Sequence, residues 1–300
     1  MEKPYLLHFA TPGTRVSPFD VNMAYDAGWN AVIPYSGVGL EDIAGFTQDA
    51  IFSRGPKGVK HTGIFIGGRD PMLAAGMLDA ARKAMVPPFE ISVFADPSGA
   101  FTTAAAMIAA VEKALAATHG STLAGRRVTV FGGTGPVGMV AAVLAAQAGA
   151  EVTIPGHDGL FRAQSAAEAI QARFGVTIRP IDASSDDAKA ALIADTEVAL
   201  ATAKAGVQVM GPAHLAHAAR LLVAADINAV PPAGIEGIGV MDDGKPLAAA
   251  SGHAVGIGPL AIGNIKYKVQ QGLLQAMLRT DSPLYLGFAD CLREARLHAA

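Results

Sequence analysis

The chain has 300 residues, room for two domains of ordinary size, and 51% of them are hydrophobic. Charged residues are only 16%, the formal net charge is −3 and no basic block stands out, which argues against a nucleic-acid partner. The single cysteine, Cys291, excludes an internal disulfide and reads as a buried thiol.

The N-terminal MEKPYLLHFATPG has too short an apolar run for a signal peptide, and MVAAVLAAQAGA (139–150) is too short to span a bilayer. The expectation is a soluble cytoplasmic protein with no membrane partner. Short apolar runs then alternate with helical stretches, the pattern of parallel α/β architecture. Strands are predicted at 5–9, 31–35, 63–67 and 91–95, with helices at about 18–28, 71–85 and 99–117. SPFD opens the first helix, with Ser17 as N-cap and Pro18 at the first helical position. THGSTLAGRR (118–127) is polar and glycine-bearing and reads as a hinge. Beyond it, strands are predicted at 127–131, 151–154, 176–179, 197–200 and 221–224. Helices are predicted there at about 136–149, 160–174, 186–194 and 212–219. A long helix at 259–279 is broken by TDSPLYLGF, and a last helix runs over 288–298. The expected division is a first α/β domain over 1–120, onto which 281–300 packs back, and a second, Rossmann-like domain over 121–280.

The strongest local signal is RRVTVFGGTGPVGMV (126–140), a strand, a glycine turn and the start of a helix. GTGPVG fits G-x-G-x-x-G at Gly133, Gly135 and Gly138, with Thr134, Pro136 and Val137 between them. The first glycine permits the tight turn, the second lets backbone approach a pyrophosphate, and the third allows close helix–strand packing. Helix N-terminal N–H groups then face the negative charge. The next strand ends in PGHDG, without a carboxylate squarely at its end. Asp158 comes one step late and Arg162 a turn further on. His157 either tolerates or binds a 2′-phosphate, or is a solvated loop histidine, so the residues favour relaxed use of NAD and NADP. HLAH places His214 and His217 on one helical face, but with no third ligand nearby no metal site is expected.

Several stretches line up together: SPFDVNMAYDAG (17–28), DAIFSRGP (49–56), TGIFIGG (62–68), VPPFEISVFADPSGAFTTAAAM (86–107), VFGGTGPVG (130–138), DINAVPPAGIEGI (226–238) and GIGPLAIGNIKYK (256–268). In this combination, over nearly its whole length, the chain resembles the NAD(P)-dependent methylene-tetrahydromethanopterin dehydrogenases of methylotrophic bacteria. It is more similar to the branch using both cofactors than to the NADP-only branch. The resemblance implies two α/β domains with a deep cleft between them, a reduced pterin on the N-terminal domain and the nicotinamide on the C-terminal one. The NADP-only relatives are homotrimers, so a homo-oligomer is implied.

The implied reaction takes a hydride from the one-carbon bridge between two pterin nitrogens. Its product is a methenyl cation delocalised like an amidinium, so no strong general base is needed, and no acid–base dyad is apparent. Asp20 either accepts hydrogen bonds from the pterin and stabilises the cation, or complements the helix dipole; Phe19 and Asn22 adjoin it. In ADPSGAFTT, Asp96, Ser98 and Thr102 are candidates to bind the ligand and Phe101 to stack on it, against a reading of turn chemistry with Ser98 as N-cap. Lys266, with Asn264 beside it, follows a glycine-rich run and matches in character the active-site lysine of folate methylene dehydrogenases. A charged lysine would oppose a nascent cation unless it contacted a pterin carbonyl, so its expected role is positioning. Ala201, Thr202 and Ala203 would edge the nicotinamide and Asn228 would bind its amide. The competing readings are a folate methylene dehydrogenase, a shikimate-type dehydrogenase with a Lys–Asp proton-transfer pair, and a dinucleotide sensor without catalysis.

Overall fold

The computed structural model describes residues 3–300. The chain forms two compact α/β units: the part up to Thr102 with Tyr267–Glu294, and Thr103–Lys266 with Ala295–Ala300. These boundaries differ from the expected 120 and 280 because each falls inside a long helix, which no composition shift marks.

The first unit opens with β1 (Leu6–Thr11), α1 (Pro18–Ala27), β2 (Ala31–Ser36), α2 (Ile43–Phe52) and α3 (Pro56–Val59). It continues with β3 (Thr62–Ile66), α4 (Pro71–Lys83), β4 (Ser92–Ala95), a 3-10 turn at Pro97–Gly99 and the start of α5 (Ala100–His119). α1 starts where Ser17 Oγ accepts from Asp20 N and stops at Gly28, whose φ of 109° is left-handed. Asp70 caps α4, accepting from the backbone N–H groups of Met72 and Leu73. β3 and β4 are buried at every position, as central parallel strands require. The chain returns late: β12 (Tyr285–Leu286) pairs in parallel with β4, and α11 (Phe288–Ala299) begins in this unit. β12 lies within the predicted break, too short to read as a strand. The sheet order is β12-β4-β3-β1-β2, all parallel.

The second unit contains β5 (Arg127–Phe131), α6 (Pro136–Gln147), β6 (Glu151–Gly156), α7 (Phe161–Phe174), β7 (Arg179–Asp182), α8 (Asp186–Asp195) and β8 (Val198–Ala201). It goes on through α9 (Pro212–Leu215), β9 (Val223–Asp226), β10 (Asp243–Pro246), β11 (Val255–Ile257) and the first part of α10 (Pro259–Arg279). Its order is β10-β11-β9-β8-β5-β6-β7, parallel except for β10 against β11. β7 starts later than its apolar residues suggest, because pairing with β6 begins only at Thr153↔Arg179. The helix predicted at 212–219 is a single turn, and α2, α3, β10 and β11 were too short or too mixed to be read. The segment Pro97–His119 is long and apolar enough to cross a membrane, yet 72% of its most apolar window is buried in the fold.

Glu197, just before β8, holds the amino ends of β5 and β8 together. Its carboxylate accepts from Arg126 Nη1 and from the Arg127 backbone N–H, each at 2.9 Å. Burial acts to raise its pKa, but the hydrogen bonds from Arg127 and Arg126 and their positive charges outweigh it, and the carboxyl sits below its usual range. A depressed folded pKa stabilises above the unfolded value and loses that effect as pH falls through the folded one. Glu197→Gln is expected to cost about 1–3 kcal/mol at neutral pH. In urea unfolding, the gap to the parent should narrow as pH falls below the ordinary carboxylate range.

Candidate functional site

In the second unit the run β7-β6-β5-β8-β9-β11 reproduces the doubly wound order 3-2-1-4-5-6. Its direction of winding reverses between β5 and β8, and a crevice at their carboxyl ends is where such sheets bind ligands. The glycine turn follows β5 and the segment Ala201–Thr202–Ala203 lies at the end of β8, so both candidate cofactor segments meet at this point. Backbone closeness explains the glycines. Gly132 has φ +80°, and a Cβ there would lie 2.6 Å from Ala203 N. A Cβ on Gly133 would lie 2.6 Å from the Ile154 side chain, and one on Gly138 2.4 Å from Gly132 O. The left-handed turn glycine is therefore Gly132, not Gly133 as the motif suggests; Gly133 is small because Ile154 of β6 crosses it. Gly135 is the N-cap of α6 and offers no side chain to the helix's first N–H groups, and Pro136 occupies the first turn. A tight glycine-rich turn leading into a helix N-terminus without a side-chain cap fits a dinucleotide pyrophosphate.

Thr202 Oγ1 donates to Phe131 O at 2.8 Å, tying the end of β8 to β5. Asn228, expected from sequence to bind the nicotinamide amide, is instead engaged within its own loop. Its Oδ1 accepts from Gly206 N and Val230 N and its Nδ2 donates to Pro232 O, so it closes its own loop. Asp226, which no sequence motif marks, is fully buried at the end of β9. Burial pushes its carboxyl above the usual range, against hydrogen bonds from the backbone N–H groups of Asn228, Ile235 and Gly234. His157, just past the end of β6, has its side chain 83% exposed, beside Asp158.

The first unit has a switch point of its own. Its order β2-β1-β3-β4-β12 is the 2-1-3-4-5 winding, which reverses between β1 and β3. Beyond those ends lie Thr11–Pro12–Gly13 and Gly67–Gly68. Gly68 has φ +112°, and a Cβ on Gly67 would lie 2.6 Å from the Phe9 ring. Asp20 opens the helix that follows β1, 4% exposed, and its Oδ1 accepts from Gln270 Nε2 at 2.7 Å. Gln270 is itself fully buried and lies one helical turn beyond Lys266 on α10. Lys266 is half-buried, Asn264 and Asn22 are exposed, and Phe19 is 49% exposed.

The segment after β4 departs from its predicted role. Asp96 Oδ1 accepts from the backbone N–H groups of Phe101 and Thr102, and its Oδ2 accepts from Thr102 Oγ1 at 2.7 Å. Asp96 and Thr102 are fully buried in this capping arrangement, so they hold the start of α5 rather than a ligand. Phe101 is 1% exposed and meets Phe288 edge-on, which leaves no face for stacking on a ligand. Ser98 is not the N-cap. It adopts φ 52°, ψ 32°, is exposed, and donates from Oγ to Gly68 O at 2.7 Å. Such backbone in a non-glycine residue persists only where its surroundings enforce it, and it lies next to the switch point. The first unit's candidate residues are then Asp20, hydrogen-bonded to Gln270, and Ser98, hydrogen-bonded to Gly68.

A family profile described as methylene-tetrahydromethanopterin dehydrogenase, N-terminal, matches residues 18–98. The chain is 48% identical over 290 residues to the NAD(P)-dependent methylenetetrahydromethanopterin dehydrogenase of Methylorubrum extorquens, covering 97% of each. It is 32% identical over 285 residues to the bifunctional protein MdtA of the same organism, covering 95% of this chain and 96% of that one. Among solved structures, an NAD-dependent malic enzyme from Thermotoga maritima aligns with TM-score 0.56 at 13% identity, covering 97% of this chain and 84% of that one. A shikimate 5-dehydrogenase from Mycobacterium fortuitum aligns with TM-score 0.51 at 16% identity over 97% of each. These structural likenesses carry the fold alone.

Proposed function

This chain belongs to the NAD(P)-dependent methylenetetrahydromethanopterin dehydrogenases, and we propose from that premise that its first unit receives the reduced pterin and its second the dinucleotide. The enzyme oxidises methylene-tetrahydromethanopterin to the methenyl form by direct hydride transfer to NAD(P)+, a step of one-carbon oxidation. The observation that carries the reading is the kinship over nearly the whole chain, and the glycine cradle between β5 and β8 supplies its physical fit.

When bound, the dinucleotide provides the nicotinamide carbon that accepts the hydride. The chain has to hold two rings near contact, at about 3–3.5 Å between the reacting carbons, and favour the charge as it develops. Gly132, Gly133 and Gly138 let the turn pack tightly against β8, β6 and α6, and Gly135 leaves the N-terminus of α6 open, so its N–H groups would meet the pyrophosphate. Ala201, Thr202 and Ala203 would edge the nicotinamide. Asp20 accepts hydrogen bonds from the pterin and favours the amidinium-like cation, with Gln270 orienting its carboxylate. Lys266 contacts a pterin carbonyl and positions the ring. A cytoplasmic location and a homotrimeric assembly complete the reading, the latter to be read from the mass in solution.

The test is an assay of NAD(P)+ reduction with methylene-tetrahydromethanopterin against methylene-tetrahydrofolate. Turnover is expected to favour the methanopterin carrier. Equal or better turnover with the folate transfers the enzyme to the folate class, and binding of NADP without turnover on either pterin makes it a sensor.

A further inference from the structure

We infer that Asp158 and Arg162 form a two-way selectivity element for the cofactor's 2′ position, which lets one site take both NAD and NADP. The inference rests on the dinucleotide reading of the glycine turn. Asp158 lies just past β6, the strand beside β5, one step beyond the strand-end position at which dinucleotide folds place the acid that reads the ribose. The loop holding it is tight: a Cβ on Gly156 would lie 1.9 Å from Gly159 O, and Gly159 has φ +109°. That fold-back turns His157 and Asp158 outward.

Asp158 does not stand alone there. Its Oδ2 lies 3.4 Å from Arg162 Nη1 in the first turn of α7, and its Oδ1 lies 3.8 Å from His157 Nδ1. The Arg162 and Asp158 side chains are 59% and 47% exposed. An exposed i,i+4 pair is weak and screened by salt, so it can be exchanged readily. An unpaired carboxylate would accept from ribose hydroxyls and repel a 2′-phosphate. A carboxylate neutralised by a neighbouring guanidinium repels little, and the guanidinium can transfer to the phosphate, which it matches in geometry. With NAD, Asp158 accepts from the ribose; with NADP, Arg162 pairs with the 2′-phosphate and His157 borders it. The competing account is structural: Asp158 complements the α7 dipole and Arg162 merely pairs with it. That account moves stability and leaves cofactor choice alone.

The experiment measures dissociation constants of NAD and NADP by calorimetry without pterin, for the parent protein, Arg162→Gln and Asp158→Asn, alongside their melting temperatures. Adenosine 2′,5′-bisphosphate serves as a probe of the phosphate contact alone. Arg162→Gln is expected to weaken NADP and the bisphosphate about tenfold and leave NAD within about twofold. Asp158→Asn is expected to tighten NADP severalfold and weaken NAD severalfold, and added salt should weaken NADP more than NAD. If the parent binds both cofactors and neither variant moves the NADP-to-NAD ratio beyond about twofold, the inference is overturned while the dinucleotide reading stands. A parent that binds neither cofactor overturns both.

Discussion

Asp20→Ala is expected to lower kcat for oxidation of the methylene carrier about a hundredfold while the dissociation constant for NADP stays within about twofold. The expectation starts from burial. Asp20 is 4% exposed and aligned by the Gln270 amide at 2.7 Å. A carboxylate in such surroundings interacts more strongly with charge than one in water, and the charge it would meet, the methenyl cation, develops only as the hydride leaves. Losing it therefore falls on kcat rather than on cofactor affinity. Asp20→Asn keeps the shape, removes the charge and should follow Ala closely in kcat. Gln270→Leu removes the orienting N–H and should lower kcat by about tenfold, with a smaller change in KM. The alternative is that Asp20 serves α1, since it sits in the first turn where an acid complements the dipole. In that case Asp20→Ala would lower the melting temperature and reduce pterin turnover and NADP binding in equal proportion. Steady-state kinetics beside cofactor calorimetry separate the two.

The second unit was the more legible because its constraint is local. A strand, a turn that admits no Cβ at Gly132, Gly133 and Gly138, and a helix leave consecutive marks, and the order of strands around them follows the usual winding. Even so, GGT holds two adjacent glycines, and no pattern says which of them has positive φ; only the closeness of Gly132 to Ala203 decides it. Asn228 misled for a related reason. An amide after a strand end is equally suited to a ligand and to its own loop, and the loop uses it.

The first unit was less legible. Its switch point depends on which side of β1 each crossover runs, which hydrophobic pattern does not encode. Asp20 was readable because it stands in a helix-opening motif, whereas its partner Gln270 lies 250 residues away on another element. Asp96 and Thr102 resemble ligand contacts in the sequence because a 3-10 turn separates the capping acid from the helix it caps, hiding the spacing that ordinarily reveals a cap. Phe101 looked like a stacking face only while Phe288, supplied from the other end of the chain, was out of view.

Gly138→Ala is expected to abolish measurable dinucleotide binding and to destabilise the second unit by about 1–3 kcal/mol. The added methyl would lie 2.4 Å from Gly132 O, 2.6 Å from Thr202 Oγ1 and 2.7 Å from Gly133 Cα. Two of these are backbone atoms of the turn itself, so relief means moving the turn, and the turn is the surface the pyrophosphate needs. α6 and β5 approach closely only because this position is glycine. A helix-propensity effect alone would run the other way, since Ala is favoured over Gly inside a helix by roughly 0.5–1 kcal/mol. Gly45→Ala supplies that comparison: Gly45 is an exposed position within α2, and a Cβ there meets nothing within 4 Å. It should stabilise the protein by about 0.4–1 kcal/mol and leave NAD and NADP binding unchanged. Calorimetric titration and denaturant unfolding of the two variants side by side decide the matter. Were Gly138→Ala to bind NADP as the parent does, the glycine turn would not be where the pyrophosphate lies, and the assignment of cofactor to the crevice between β5 and β8 would fall with it.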